Sequence, residues 1–169
     1  MKQSKFLLIA VFFIHFSFLY SQENSEVHQN WNQLNQKLVY RTEITLDIVN
    51  EIKNSKKIDK ATLQNTISCA KELKTLCENK NLDKADVKII NQKNNELSTY
   101  LVRTMVNIEQ DARLKSKEEL LMLFDQLYAL ENQIYAAVRN YNQICVKYEK
   151  EELIFEINEQ KKEPKVEFK

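Results

Sequence analysis

The chain contains no glycine and a single proline in 169 residues. Glycine supplies the positive-φ positions that two-residue hairpin turns need, and the bare backbone against which phosphates rest. Its absence removes the Walker phosphate loop, the Rossmann fingerprint and the nucleophile elbow together. Ordinary usage would have given about twelve glycines and eight prolines, at roughly 7% and 5%. The class left is all-helical, because asparagine and charged loops can end helices without glycine.

Charge narrows the function classes. Lys and Arg number 25, Asp and Glu 24, for a net charge of +1. No excess of positive charge is present to hold a polyanion, so no nucleic-acid partner is expected.

Lys2 and Lys5 precede an apolar run over residues 6–20, interrupted by His15 and Ser17. This is the charged region and hydrophobic region of an export segment. At about fifteen residues it is short of the roughly twenty that span a bilayer, which favours a signal peptide cleaved near Ser21, with Gln22 as the new terminus. The alternative is retention of residues 6–20 as an inner-membrane anchor. In both cases Lys2 and Lys5 hold the front end in the cytoplasm and the body lies outside, in the periplasm or facing it. All the acidic residues follow Gln22, so the body is close to neutral.

The expected organisation is an export segment or anchor over 1–21, a helical body over 22–158 and a flexible tail over 159–169. In the body, apolar residues recur every three or four positions. The first run, Val27, Trp31, Leu34, Leu38, Arg41, Thr45, Ile48 and Ile52, is a coiled-coil-like seam broken at Asn54 to Lys57. Asp59 is placed to cap a second helix through Leu63, Ile67, Ala70, Leu73 and Cys77, ending at Asn79 and Asn81. Asp83 would open a third, through Val87, Ile90, Asn94, Leu97, Leu101, Met105 and Ile108 to Ala112. Ser116 with Glu119 reads as the capping box of a fourth, through Leu120, Phe124, Leu127, Glu131, Ile134, Val138, Tyr141, Cys145 and Tyr148, fraying near Asn158. Short connections predict an antiparallel up-down four-helix bundle.

Arg41 and Glu131 interrupt apolar seams at similar heights of an antiparallel pair. They are expected to meet inside the bundle, with Asn94 or Arg103 from the third helix, and to fix register. The competing expectation is that both side chains snorkel to the bundle edge. A second, functional reading places a small polar ligand in a cleft around Glu131, lined by Asn132, Arg139, Tyr141 and Asn142. Tyrosines at helical spacing, including Tyr128 and Tyr135, are first read as packing. No catalytic residue, metal ligand set or cofactor is expected. The two histidines are His15 in the leader and His28, so neither a di-iron helix pattern nor a three-ligand zinc spacing exists. A hydrolase built on His28 and Glu131 would lack a nucleophile within a catalytic constellation. Cys69 and Cys77, about 12 Å apart along one helix, cannot bridge each other. Core packing of the thiols is favoured, and a bridge from Cys145 to either stays open.

The run Glu131-Asn132-Gln133-Ile134, followed by Arg139, Tyr141 and Asn142, resembles the signature of the LemA family. Asn95, Leu97, Ser98, Leu101, Arg103, Met105, Val106 and Glu109, then Leu114-Lys115 and Gln126-Leu127, are similar to that family in register. Trp31, Leu34, Leu38, Arg41, Glu43, Ile48 and Val49 resemble its first body helix, and Pro164 to Phe168 its common ending. The chain departs in its shorter apolar leader, in Leu46 where the family has proline, and in Asp111-Ala112 where the family has a Tyr-Pro break. The last departure predicts a more helical connection. The resemblance implies an outward-facing, membrane-associated helical bundle without an established biochemical activity. The expected function is therefore that of a non-enzymatic envelope scaffold whose partner is another envelope protein or a membrane surface.

Overall fold

The computed structural model describes the backbone of residues 2–78 and 84–156 and the side chains of 25–78 and 85–156. Among the described residues every regular element is helical: α1 (Lys2–Ile52), α2 (Lys60–Glu78), α3 (Lys84–Glu109), α4 (Ala112–Lys115) and α5 (Glu118–Lys147), then a 3-10 turn at Glu151–Leu153. The caps expected at Asn79, Asn81 and Asp83, the leader's side chains and the tail over 159–169 lie outside the described residues. No helix among the described residues is long and apolar enough to cross a membrane.

The body of α1 buries the whole predicted seam. Leu34, Leu38, Thr45, Ile48 and Ile52 are fully enclosed, and Val27, Trp31 and Arg41 nearly so. The helix ends at Ile52, and the polar stretch that follows leads to Asp59, whose carboxylate accepts from Thr62 N at 2.7 Å and Thr62 Oγ1 at 2.8 Å. Asp59 thereby satisfies an amide that the first turn of α2 leaves without a partner.

Cross-links between helices give their directions. Along α1, Glu26, Lys37 and Glu51 meet, in descending order, Lys147 and Gln133 of α5 and Lys117 just before it, so the two helices are antiparallel. Asn35 donates to Cys77 O and Lys74 pairs with Glu43 at 2.8 Å, which makes α2 antiparallel to α1. Thr66 faces Thr104 at 3.3 Å and Glu72 meets Lys93 at 2.9 Å, which makes α3 antiparallel to α2. Packed seams join α1 to α5, α1 to α2 and α2 to α3, while α3 and α5 share no comparable seam. The result is a helical bundle with one side left open between α3 and α5.

Three local expectations are corrected. Met105 is 44% exposed, and Thr104 takes its place on the buried face. Met105, eleven residues from Asn94 and therefore about 20° from it around α3, lies on the same side of that helix and is left uncovered. Ser116 does not open α5 through a capping box. It is the C-cap of α4, its hydroxyl donating to Ala112 O at 3.0 Å, and α5 starts after Lys117 without a side-chain cap. The connection is indeed more helical than a proline break would allow, since Asp111 caps α4 by accepting from Arg113 N. Finally, α5 stops at Lys147 rather than fraying near Asn158. Glu149 N donates to Val146 O at 3.1 Å and Lys150 N to Cys145 O at 2.8 Å, the bond pair of a Schellman cap. Glu149 takes the left-handed position, φ 55°, that glycine fills in most chains, at a cost of roughly 1–2 kcal/mol. What the turn gains is burial of Leu153 and Phe155, which a continued helix would have carried into solvent.

Candidate functional site

Arg41 sits midway along the buried face of α1 with 1% of its surface exposed. Its Nε donates to Glu131 Oε1 on α5 at 2.6 Å. Nη1 donates to Asn94 on α3, to Oδ1 at 2.7 Å and to the backbone oxygen at 3.2 Å, and Nη2 donates to Ser98 Oγ at 2.9 Å. The guanidinium fork thus ties α1 to both helices that flank the open side. The structure brings together Arg41, Asn94 and Glu131, and neither charged group snorkels away from the other.

Arg103 is not part of this cluster. It is exposed, with its guanidinium 5.8 Å from the Tyr100 ring centroid. The reason is angular: nine residues separate it from Asn94, which at 100° per residue puts it on the opposite face of α3. Ser98 occupies the position instead. Its spacing of four from Asn94 was the available signal, and serine's small side chain concealed it.

The four residues of the supposed ligand cleft do not share a cavity. Asn132 and Arg139 are exposed on α5. Tyr141 is wholly enclosed, its ring 5.4 Å from that of Trp31 and tilted by 52°. Its hydroxyl lies beside Cys145, and burial, followed by that neighbouring thiol, pushes its ionisation far above the usual phenol range. Asn142 is spent on the chain's own terminal segment: Nδ2 donates to Phe155 O at 2.8 Å, and Oδ1 accepts from Phe155 N at 2.9 Å. Asn91 on α3, with its amide oriented to satisfy both groups, makes the same pair of bonds to Glu156 at 3.2 Å each. Neither Asn91 nor the returning segment carried a recognisable signal in the sequence, because both depend on where the chain turns after α5.

His28 is exposed and stands about 20 Å along α1 from Arg41, so it cannot work with Glu131. Cys69, Cys77 and Cys145 are free and buried. Burial is the main cause that pushes the Cys69 thiol up to about 11 and Cys77 up to about 12, so neither is a nucleophile near neutral pH. No cluster of metal-ligating residues occurs among the described residues.

What the cluster can do chemically is hold geometry. Glu131 presents a carboxylate 37% open to water, balanced by a fixed guanidinium and flanked by amide and hydroxyl groups already bonded to that guanidinium. No curated protein matches the chain. The profile of the LemA family matches residues 30–158, a span that takes in Arg41, Asn94, Ser98, Glu131 and the Tyr141-Asn142 pair. With more than half of its length matched, and with the cluster and the terminal clamp both inside the match, this chain belongs to the LemA family.

Proposed function

We propose that this protein is a non-enzymatic scaffold of the cell envelope, an up-down four-helix LemA-like bundle held outside the inner membrane, whose exposed helix faces engage another envelope protein or a membrane surface. The observation that carries the reading is on α3. Val102, Met105 and Val106 are 54%, 44% and 53% exposed and occupy adjoining turns of one face. Leu121, Met122 and Tyr128 near the start of α5 are also about half exposed or more. Grouped apolar side chains left in water mark an interaction surface more often than scattered ones do.

The alternating directions of the packed helix pairs support the up-down arrangement. The non-enzymatic reading rests on the polar cluster, in which Arg41 takes up the acceptors of Glu131, Asn94 and Ser98. The address rests on Lys2, Lys5 and the apolar run over 6–20, with cleavage near Ser21 favoured over retention.

The test is in-cell photo-crosslinking from Val102 and Val106, followed by identification of adducts from separated soluble-envelope and membrane fractions. Discrete adducts, lost when Val106→Glu is introduced while the helical spectrum is kept, are expected. Adducts equal in number and kind to those from an exposed polar site such as Lys71 would overturn the reading. Intact mass of the same fractions tests the address, with a soluble species beginning at Gln22 expected and a membrane species beginning at Met1 favouring the anchor.

A further inference from the structure

Past the left-handed Glu149 the chain returns between α3 and α5 as a strap, and the strap has a direction. It starts where α5 ends and climbs back along it, so that Phe155 reaches Asn142 of α5 and Glu156 reaches Asn91 of α3. Because α3 runs antiparallel to α5, the strap heads along α3 toward its C-terminal end. Two buried side chains two positions apart, Leu153 and Phe155, hold it in place.

The two walls continue beyond Glu156, and there they turn apolar. On α3, Val102 is eleven residues past Asn91 and so about 20° from it around the helix, with Met105 and Val106 within about 60°. On α5, Phe124 is eighteen residues before Asn142, about five full turns, and Tyr128 lies within about 40° of the same direction. Val102, Met105, Val106 and Tyr128 are about half exposed and Phe124 is half-buried, so among the described residues nothing encloses them. Apolar side chains on both walls of one cleft are a surface built to be covered.

The sequence that follows Glu156, outside the described residues, matches that space. Val166-Glu167-Phe168 repeats the pattern of Leu153-Ile154-Phe155, an apolar residue two positions before a phenylalanine. In an extended chain that spacing puts both side chains on one side. Ten and twelve residues past Glu156, they reach at most roughly 33 and 40 Å, so walls that begin roughly 16 Å and end roughly 27 Å beyond the two asparagines are met with slack. The tether at Glu156 presents them to the cleft at an effective concentration on the order of millimolar, which a free competitor has to exceed. We infer that the cleft between Val102, Met105 and Val106 on α3 and Phe124 and Tyr128 on α5 is the docking site of this chain's own Val166 and Phe168, which fill it as Leu153 and Phe155 fill the cleft beside Asn91 and Asn142. The contact is autoinhibitory, since it covers the α3 face by which a partner is engaged. The docking stands on geometry and pattern; its autoinhibitory role rests on the scaffold reading.

A photoreactive residue in place of Val102 in the purified full-length protein tests this, with monomer and dimer separated after irradiation and each digested for mass spectrometry. The expected adduct is intramolecular, to the peptide that contains Val166 and Phe168. It should fall at least tenfold in a Val166→Glu, Phe168→Glu double variant, whose changes lie outside the helical body and leave the helical spectrum native. Monomer adducts that leave that peptide out would overturn the docking. So would adducts found only in the dimer, joining α3 to α3 or α5 of a second copy, since the occupant would then be another chain. In cells, the double variant is expected to raise the yield of partner adducts from Val102 several-fold. An unchanged yield beside a clear intramolecular adduct in the parent would overturn the autoinhibitory role and keep the docking. Partner adducts in cells with no adduct to Val166 or Phe168 would keep the scaffold reading and remove the docking.

Discussion

Arg41 and Glu131 form an ion pair of unequal environment: Nε and Oε1 are 2.6 Å apart, yet the arginine side chain is 2% exposed and the glutamate 37%. The two truncations should therefore differ. Glu131→Leu leaves a guanidinium in the interior with only neutral acceptors, and should cost roughly 3 kcal/mol. Arg41→Met leaves a carboxylate that water already reaches, and should cost about 1–2 kcal/mol. The partner that looks more peripheral is the more costly one to remove, because what matters is the charge left behind. Urea unfolding of both variants and of the double variant checks this, the double variant lying nearer the parent than Glu131→Leu does.

Thr66 and Thr104 make a second buried polar contact, between α2 and α3, with both residues fully enclosed. Thr66 Oγ1 also donates to Thr62 O at 2.7 Å, so it keeps a partner when Thr104 is lost. Thr104→Val should change stability by less than about 1 kcal/mol, whereas Thr66→Val should cost about 1–2 kcal/mol by stranding the Thr104 hydroxyl. Equal losses in thermal unfolding would show that Thr104 finds another partner.

Stability should fall on both sides of a plateau in pH. The carboxyls of Glu26, Glu72 and Glu96 are held below their ordinary 4.5, chiefly by Lys147 for the first and Lys93 for the other two. Asp59 is held below 3.8, chiefly by the Thr62 hydroxyl. For Asp111, burial acts upward but is outweighed by the Ser55 hydroxyl, the Arg113 amide and nearby cations. Depressed acids contribute fully above their unfolded values and lose that contribution as pH falls through the folded ones, so the melting temperature should drop below about pH 4.5. On the alkaline side, Lys74, Lys93, Lys117 and Lys147 are raised, chiefly by hydrogen bonds to Glu43, Glu72, Glu51 and Glu26. The raised thiols lose their contribution as pH climbs from their ordinary 9.0, and the lysines as it climbs from their ordinary 10.5. Asp59→Asn, which keeps a capping group without a charge, should shallow the acid limb and leave the alkaline limb unchanged.

The thiols supply an independent check of the core. Cys69, Cys77 and Cys145 are buried and unpaired, and burial raises all three above the ordinary 9.0. A thiol reagent at pH 7.5 should label none of them in the native protein within minutes and all three in denaturant. Fewer than three labelled in denaturant would mean that Cys145 has bridged to one of the others.

Much of the helical layout was legible from spacing alone. The α1 seam from Val27 to Ile52, the break before Asp59 and its capping role, and the apolar line from Leu120 to Cys145 are all local facts. Each depends on a residue's own backbone preference and on neighbours three or four positions away, which one helix presents without reference to any other. Arg41 and Glu131 could be singled out for the same reason, as charges on otherwise apolar seams.

What the tertiary structure alone decided is how those seams are turned toward one another. One residue along a helix is 100° around it, so Ser98 rather than Arg103 reaches Arg41, and Met105 lies toward the uncovered side of α3. The strap is of the same kind. Residues 149–153 favour a continued helix on local grounds, but Leu153 and Phe155 have an apolar site only if the chain turns back. Asn91 and Asn142 become clamps because that turn brings Phe155 and Glu156 between them. Burial and backbone pairing across distant stretches of chain outweigh local helix preference there, and neither quantity exists until α3 and α5 stand on either side of the gap.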